Sequence, residues 1–309
     1  MGVQGMREDE QGSTAVNVSP GTSVIICSRN RPQLLQRLVA SVLEGNTLPN
    51  EVIIVDDSDV VHSELASLSA PGKCELRYLW TRSIGLSRAN NDGIKAARYD
   101  ILVFTQDDVV VTPTWFETIV TTLRDAPSRT VVTGRVIPGE AEIGGGFSPS
   151  TTTETQEVMY KGRIGEDVLY LQNAAFHRST LEEIGLFDER IGPGTEFPAA
   201  EDNDFGLRLL EAGYAILHAH DAVVIHRAWR GSAEYASLQW NYGRAQGAFY
   251  AKYLSLNDSY MLKRMIYDIL RSCARIPLRA WRQRRLSCGE FKYLLGLFVG
   301  AIRWARLYG

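Results

Sequence analysis

Four short, largely apolar runs constrain the fold of this chain more than any other feature of its sequence. They are Ser23–Cys27, Val52–Val55, Leu76–Trp80 and Ile101–Phe104. Short runs rich in β-branched and other apolar residues are typical of strands that are buried on both faces. Stretches with apolar residues at helical spacing lie between them. This alternation predicts an α/β fold with a mostly parallel central sheet and helices on both faces.

Three of the four runs end in polar clusters. These clusters are Ser28-Arg29-Asn30, Asp56-Asp57 and Asp107-Asp108. Ligands of parallel sheets bind outside the carboxyl ends of the strands, so we expect the clusters to share one site. Asp107-Asp108 suits a hard divalent cation that prefers oxygen ligands, with a solvated turn as the other interpretation. Asp56-Asp57 can accept hydrogen bonds from a ribose or a base, or can form a simple Asx-turn.

Two further features follow in the second half of the chain. Glu201-Asp202 opens a predicted helix, where carboxylates also serve as ordinary caps. A transfer to a hydroxyl needs a base, and this pair is the candidate. His226 ends the predicted strand Val223–Ile225 and is either structural or a ligand. The Gly- and Thr-rich residues 144–155 predict a mobile loop that closes over the site.

Composition indicates a globular chain and excludes several classes. The chain has 309 residues, of which 45% are hydrophobic and 22% charged, which is enough for a large core. The four cysteines are far apart in the sequence, which argues against a zinc site or a disulfide framework and predicts reduced thiols. They are Cys27, Cys74, Cys273 and Cys288. The polar residues 1–20 predict a disordered tail without a secretory signal.

Taken in order, these motifs resemble those of the family 2 glycosyltransferases, which have the GT-A fold. The resemblance extends from about Ser23 to Arg230. It rests on the segments SVIICSRNRP, VIIVDDSD, GLSRANNDGIKAARYDILVFTQDDV, QNAAFHRSTLEEIGLFDE and AEDNDFGLRLLEAGYAILHAHDAVVIHR. It implies a Rossmann-like catalytic domain over residues 21–232, a nucleoside-diphosphate-sugar donor (by default a UDP-sugar) and a divalent metal, Mn²⁺ or Mg²⁺. The implied acceptor is a glycan or lipid-linked acceptor in polysaccharide biosynthesis.

The resemblance also implies roles for individual residues. Those implied on the donor side are Ser28, Arg29, Asp56, Asp57, Arg88, Asn90, Gln106, Asp107 and Asn173. Asp108 matches the metal ligand of the family's DxD-type triplet, and His226 matches a histidine that coordinates the metal or the diphosphate in some members. Asp202, with Glu201 beside it, matches the catalytic base of a single inverting displacement.

Two departures from the family pattern keep an alternative open. Gln106 stands where the first acid of the metal triplet is usual, and Ala89-Asn90-Asn91 stands where many members have an arginine. Arg88 can substitute for that arginine from the previous turn. The alternative is a catalytically inactive glycosyltransferase-like protein that binds nucleotides or acts as a scaffold. A nucleotidyltransferase is disfavoured because SVIICSRNRP contains no glycine for a phosphate loop.

A basic, amphipathic helical region is predicted over residues 233–309. From Lys263 onward there are eleven Lys and Arg and two acids, a balance of +9, so the rest of this chain of net charge −3 carries −12. The apolar run Phe291–Ile302 is short, whereas a membrane span needs about twenty residues. We therefore expect a cytoplasmic protein whose residues 263–309 contact the inner face of the cytoplasmic membrane. Packing on the catalytic domain or a dimer contact is the alternative, and no motif accompanies the charge that would indicate nucleic acid.

Overall fold

The structure, a computed structural model, describes residues 19–82, 84–228, 230–255, 257–280 and 283–309. The described strands are β1 Ser19–Ser28, β2 Glu51–Asp56, β3 Glu75–Trp80, β4 Tyr99–Gln106, β5 Val109–Val111, β6 Thr130–Ala141, β7 Val158–Tyr160, β8 Asn173–His177 and β9 Ala215–Ala228. The described helices are α1 Pro32–Leu43, α2 Ser63–Ala66, α3 Leu86–Ala96, α4 Trp115–Asp125, α5 Thr180–Ile184, α6 Glu201–Glu211, α7 Tyr235–Leu254, α8 Ser259–Ala280 and α9 Arg284–Tyr308. Of the tail predicted over 1–20, residues 1–18 lie outside the described residues, and Ser19 begins β1.

These strands form one sheet in the order β3-β2-β1-β4-β8-β6-β9-β5, with β7 beside β9. The first four strands in this order pair in parallel, so their carboxyl ends reach the same edge. β8 pairs antiparallel with both β4 and β6, and β5 and β7 pair antiparallel with β9, whereas β6 and β9 are parallel. The sheet is therefore mixed. The parallel pairing predicted from the apolar runs is found in β1 to β4, and the direction changes in the later strands.

Two apolar layers cover the sheet. On one face, α1 and α4 bury Leu35, Val39 and Trp115. On the other face, α3 and α6 bury Ile94 and Phe205. β2 is buried along its whole length, which explains why its sequence is continuously apolar rather than alternating. This double cover fixes the strands, and with them the polar residues at their carboxyl ends.

The last strand and the loop before it differ from the expectations. β9 spans Ala215–Ala228 and is much longer than the predicted Val223–Ile225, because it pairs with β6 over most of its length. The segment 144–155, for which a mobile loop is predicted, has fixed contacts in this structure. It is attached to the sheet: Ser148 Oγ donates a hydrogen bond to the His226 carbonyl oxygen at 2.8 Å.

Glycines allow α7 and α9 to pack backbone against backbone. A Cβ atom on Gly247 would lie 2.0 Å from the carbonyl oxygen of Leu297, and one on Gly300 would lie 1.9 Å from that of Arg244. Such close approach requires a residue without a side chain. The close approach of these two helices therefore depends on glycine, and Phe249 of α7 shares a buried apolar cluster with Leu297 and Trp304 of α9 beside it.

Three smaller expectations concern the same region and the cysteines. Pro277 lies inside α8, although proline usually interrupts a helix interior. Among the described helices, none combines the length and the apolar character that a membrane span requires. All four cysteines lie in the described part of the chain, and all four are free thiols.

Candidate active site

A cavity of about 720 Å³ opens at the carboxyl ends of β1, β2 and β4. The start of α6, helix α7 and part of α9 form its other walls. The cavity brings together most of the residues that the sequence predicts for the site. Those that line it are Ser28, Arg29, Asp57, Gln106, Asp107, Asp108, Glu201, Asp202 and His226.

Asp107 follows β4 and lies buried between two hydrogen-bond donors. Ser28 Oγ donates to its Oδ2 at 2.7 Å, and Arg31 Nη1 donates to its Oδ1 at 3.1 Å. Burial and the neighbouring charge of Asp108 nevertheless raise the pKa of Asp107 to about 6. The same Arg31 nitrogen lies 3.3 Å from Asp108 Oδ2. The end of β4 therefore concentrates negative charge beside one guanidinium group.

Asp108 and His226 form the pair that fits a metal ion. Asp108 Oδ1 is buried without a hydrogen-bond partner and lies 3.7 Å from His226 Nε2. His226 Nδ1 lies 3.0 Å from the carbonyl oxygen of Arg227, which can only accept, so we assign the proton to Nδ1. Nε2 then carries a lone pair, as in metal-ligating histidines whose other nitrogen donates to a carbonyl.

Asp108 and His226 would supply only two of the ligands that a metal ion needs. Among the residues that the structure describes, no group of three or more His, Cys, Asp and Glu side chains is arranged to hold a metal ion. Hard divalent cations in sites of this kind keep several water molecules or substrate phosphate oxygens as ligands. A cation at Asp108 and His226 would therefore take its further ligands from water or from substrate phosphate oxygens.

Glu201 and Asp202 open α6 on a different wall of the cavity. Burial raises the pKa of both carboxyl groups, and the charges of Glu201 and Asp167 raise that of Asp202 further. Ala200, the residue before them, has a φ of 71°, in the left-handed region that non-glycine residues seldom adopt. Such strain persists where the surroundings enforce it, often at active sites. A carboxylate with a raised pKa is a stronger base, which suits proton abstraction.

Contacts on two sides fix the position of α6. On the side of α3, Ser87 Oγ donates to the carbonyl oxygen of Ile191, in the loop before α6, at 2.6 Å. On the side of α7, Asp204 Oδ1 accepts hydrogen bonds from Lys252 Nζ at 2.5 Å and Tyr253 Oη at 2.9 Å. Asp204, the third acid at the start of α6, thus anchors the helix, whereas Glu201 and Asp202 line the cavity.

Two predicted donor residues, Asp56 and Asn173, are buried and do not line the cavity. Asp56 accepts a hydrogen bond from Tyr78 Oη at 2.6 Å, and Asn173 Oδ1 accepts one from Trp115 Nε1 at 2.8 Å. Consecutive residues at a strand end point in opposite directions, and it is Asp57 that reaches the cavity. In this structure Asp56 and Asn173 support the sheet edge rather than face a ligand.

Arg88 and Asn90, on α3, also do not line the cavity. Arg88 Nε donates to Glu189 Oε2 at 2.9 Å, on the protein surface. Asn90 is buried, and its Oδ1 accepts a hydrogen bond from Cys27 Sγ at 3.1 Å. The structure therefore does not place Arg88 where the missing arginine of the family pattern was expected.

Sequence reasoning missed two groups of cavity residues. Arg31 had a detectable signal, because it follows the first strand at the same sheet edge as the acidic pair. The residues from the second half of the chain had none, because a loop before β8 and the helices α7 and α9 reach the cavity only through tertiary packing. They include Tyr170, Tyr242, Gln246 and Tyr293. The cavity thus draws on both sides of the domain boundary predicted at residues 232 and 233.

Similarities to known proteins agree with this geometry. The model of the family "Glycosyl transferase family 2" matches residues 23–185, more than half of the chain. A hyaluronan synthase of Pasteurella multocida is 24% identical over 227 residues, covering 62% of this chain and 23% of that protein. A pre-mycofactocin glycosyltransferase of Mycobacterium tuberculosis is 28% identical over 210 residues, covering 66% of this chain and 42% of that protein. The chain spans less than half the length of these two relatives.

Solved structures share its architecture. The mannosyltransferase PcManGT from Pyrobaculum calidifontis, in complex with GDP-Man and Mn²⁺, has a TM-score of 0.56 at 15% identity and covers 94% of this chain and 91% of its own. GalNAc-T7, with UDP, GalNAc and Mn²⁺, has a TM-score of 0.50 at 18% identity and covers 74% of this chain and 49% of its own. At such identities the likeness concerns the fold, which is the predicted GT-A fold. By the extent of the family match, this chain belongs to glycosyl transferase family 2.

Proposed function

We propose that this protein transfers a sugar from a nucleoside-diphosphate-sugar, with UDP as the expected nucleotide, to a glycan or lipid-linked acceptor in polysaccharide biosynthesis. The observation that carries the proposal is one cavity that presents the Asp108–His226 pair and the Glu201–Asp202 pair on separate walls. Metal-assisted transfer to a hydroxyl needs both a cation site and a base. Relatives named as a synthase of hyaluronan and as a glycosyltransferase also support it.

The sheet edge is the donor side of this proposal. Asp108 and His226 would hold Mn²⁺ or Mg²⁺, which when bound supplies positive charge to the leaving diphosphate. Arg31 is already oriented by Asp107 and Asp108, so its guanidinium needs little reordering to meet phosphate oxygens. Ser28, Arg29, Asp57 and Gln106 line the same side of the cavity and would bind the rest of the nucleotide.

Helix α6 supplies the base. Asp202, in its ionised form, accepts the proton of the acceptor hydroxyl, and the hydroxyl oxygen forms the new bond to the anomeric carbon. The bond from that carbon to the diphosphate breaks on the opposite face, so the anomeric configuration inverts. Glu201 lies beside Asp202, and its negative charge favours proton uptake by that carboxylate.

The proposal includes a peripheral position at the inner face of the cytoplasmic membrane, with residues 263–309 as the contact. Its support is the concentration of positive charge in this segment, +9 in a chain of net charge −3. Anionic lipids attract such segments with about 1 kcal/mol for each Lys or Arg near the surface.

Isothermal titration calorimetry with UDP-, GDP- and dTDP-sugars, in the presence of Mn²⁺, of Mg²⁺ and of neither metal, tests the donor site. We expect one donor to bind the full-length protein only with metal, and Asp108→Ala to lose that binding. Asp125→Ala, which removes an exposed carboxylate at the end of α4, is the matched control and should bind normally. Failure of every donor to bind with any metal would contradict the proposal. Metal-dependent binding without turnover on any acceptor would favour the inactive, nucleotide-binding alternative.

A further inference from the structure

Helix α8 has the reverse of the usual amphipathic pattern. Helices on the surface of a globular protein normally turn their apolar side chains toward the core. The residues that α8 buries are Met261, Arg264, Asp268 and Ser272. The large apolar residues it exposes, with their exposed fractions, are Leu262 at 45%, Ile266 at 46%, Tyr267 at 64%, Leu270 at 63% and Leu278 at 79%. Five large apolar residues of this helix therefore face solvent, while Met261, Met265 and Ile269 pack on the core.

Helix α9 repeats the arrangement. Most of its buried positions are occupied by glycine, and the buried residues are Gly289, Gly296, Leu297, Gly300 and Trp304. The exposed apolar residues are Phe291 at 54%, Leu295 at 42%, Phe298 at 42% and Ile302 at 51%. Their steps of four, three and four residues place them on one stripe of the helix.

The polar groups buried by α8 have specific partners. Arg264 forms an ion pair with Asp167 at 2.7 Å, and Asp268 Oδ2 accepts a hydrogen bond from Tyr250 Oη at 2.5 Å. The orientation of the helix is therefore fixed by polar contacts on its inner face. Contiguous exposed apolar surface on such a fixed element is typical of an interaction site.

Charge indicates which partner this surface fits. Exposed cations accompany both stripes: Lys263 on α8, and Arg284, Lys292 and Arg306 on α9. Arg306 lies one turn beyond Ile302, so it extends the same stripe. The two acids of residues 263–309 are engaged within the protein, with Glu290 at 2.7 Å from Arg279 and Asp268 at 2.9 Å from Arg271.

A basic rim around an apolar stripe matches the interface of an anionic bilayer, where cations meet phosphate groups and apolar side chains meet acyl chains. A second copy of this chain would instead bring the same positive charge against itself. Charge complementarity thus favours a lipid surface over a dimer.

We propose that α8 and α9 bind the interface of an anionic phospholipid bilayer with this outer face, defined by Leu262, Ile266, Leu270, Phe291, Leu295, Phe298 and Ile302. The inner faces of the same helices reach the cavity, because Tyr293 lines it and Arg264 holds the cavity residue Asp167. Binding through the outer face would keep the cavity close to the lipid surface, which favours a lipid-linked acceptor over a free glycan. This last step rests on the proposed transfer reaction, whereas the surface deepens the proposed membrane contact by naming the side chains that make it.

Co-sedimentation of the full-length protein with vesicles tests the surface. We expect binding to vesicles of phosphatidylglycerol mixed with phosphatidylcholine, weaker binding at high salt, and little binding to phosphatidylcholine alone. The double variant Leu270→Gln/Phe298→Gln changes only exposed positions and should weaken binding about ten-fold or more, since two apolar contacts are lost. Val60→Gln, at a position that is 64% exposed outside these helices, is the matched control and should bind like the wild type.

Three results would overturn the proposal. They are the absence of binding to the anionic vesicles, equal binding by the double variant and the wild type, and a concentration-dependent dimer in sedimentation velocity that the double variant dissociates. Calorimetry of donor binding by the same double variant distinguishes a failure of the membrane surface from a failure of the donor site. Lost vesicle binding with intact donor binding supports the surface and leaves the donor site in place. Absent donor binding in the wild type would contradict the proposed sugar transfer without affecting the vesicle result.

Discussion

The walls of the cavity come from two regions that are built in opposite ways. On the sheet side, the polar residues follow strands whose apolar side chains are buried under helices on both faces. On the helical side, α8 and α9 bury glycines and polar residues beside Met261, Leu297 and Trp304, and they expose a row of large apolar residues. Burial of apolar surface under helices fixes the first region, whereas the second combines a smaller apolar cluster, with Phe249, Leu297 and Trp304, with close backbone contact and ion pairs. Regular spacing of apolar residues in the sequence therefore does not show whether those residues are buried: in β1 to β4 most of them are, and in α8 and α9 many are exposed.

In the proposed reaction, the two regions have different roles. The sheet edge carries the cation pair and the arginine for the donor, and α6 carries the base. α6 is in turn anchored to α7 through Asp204 and Tyr253. The position of the base thus depends on the helical region, although its residues belong to the α/β domain. Variants in each region should consequently differ in whether they alter binding, turnover or stability.

The largest expected effect separates the base from the donor side. Asp202→Asn should lower kcat by about 10²- to 10⁴-fold, because an amide cannot accept the proton of the acceptor hydroxyl. Donor binding in the presence of metal should stay near that of the wild type. Wild-type activity should rise with pH through the raised pKa of Asp202, since the base acts when ionised. Initial rates against pH, with calorimetry of donor binding, check this, and an Asn variant with normal kcat would remove Asp202 from its role.

The next effect tests the glycine contact of the helical region. Gly247→Val should lower the free energy of unfolding by about 3 kcal/mol, because the added atoms meet the α9 backbone, which cannot move aside like a side chain. Gly165→Ala is the control, since a Cβ atom there has no neighbour within 4 Å. Urea denaturation of both variants measures the difference. Equal stability of the two would show that α7 and α9 do not pack as described.

The smallest effect concerns Asp107 on the sheet side. Its pKa in the folded state is raised to about 6, above the unfolded value near 3.9, so stability is lost as pH rises between these values. Asp107→Asn should therefore stabilise the metal-free protein at pH 8, by at most about 2 kcal/mol because Arg31 loses a partner, and should have little effect at pH 4. Thermal denaturation at both values checks the difference. A loss of stability at pH 8 would mean that the ion pair with Arg31 outweighs the cost of burying the charge.

Much of the fold and part of the site could be predicted from the sequence. The runs at β1, β2, β3 and β4 and the polar ends of β1, β2 and β4 indicated the domain and its ligand edge. Which acid of Asp56-Asp57 faces the cavity could not be predicted, because it depends on the direction of one side chain at the strand end. The extent of β9 and the attachment of residues 144–155 were missed, because strand pairing and loop contacts involve residues far apart in the sequence.

The sequence by itself determined the α/β class, the sheet edge at which the cavity opens, the acidic and histidine residues that line it and the basic character of residues 263–309. These are properties of local apolar pattern, spacing and charge. Only the tertiary structure decided that Asp108 and His226 lie 3.7 Å apart, that Arg31 joins the acidic pair, and that α8 and α9 turn their apolar faces outward. Side-chain direction and helix rotation are set by packing between distant segments, and a linear pattern does not specify them.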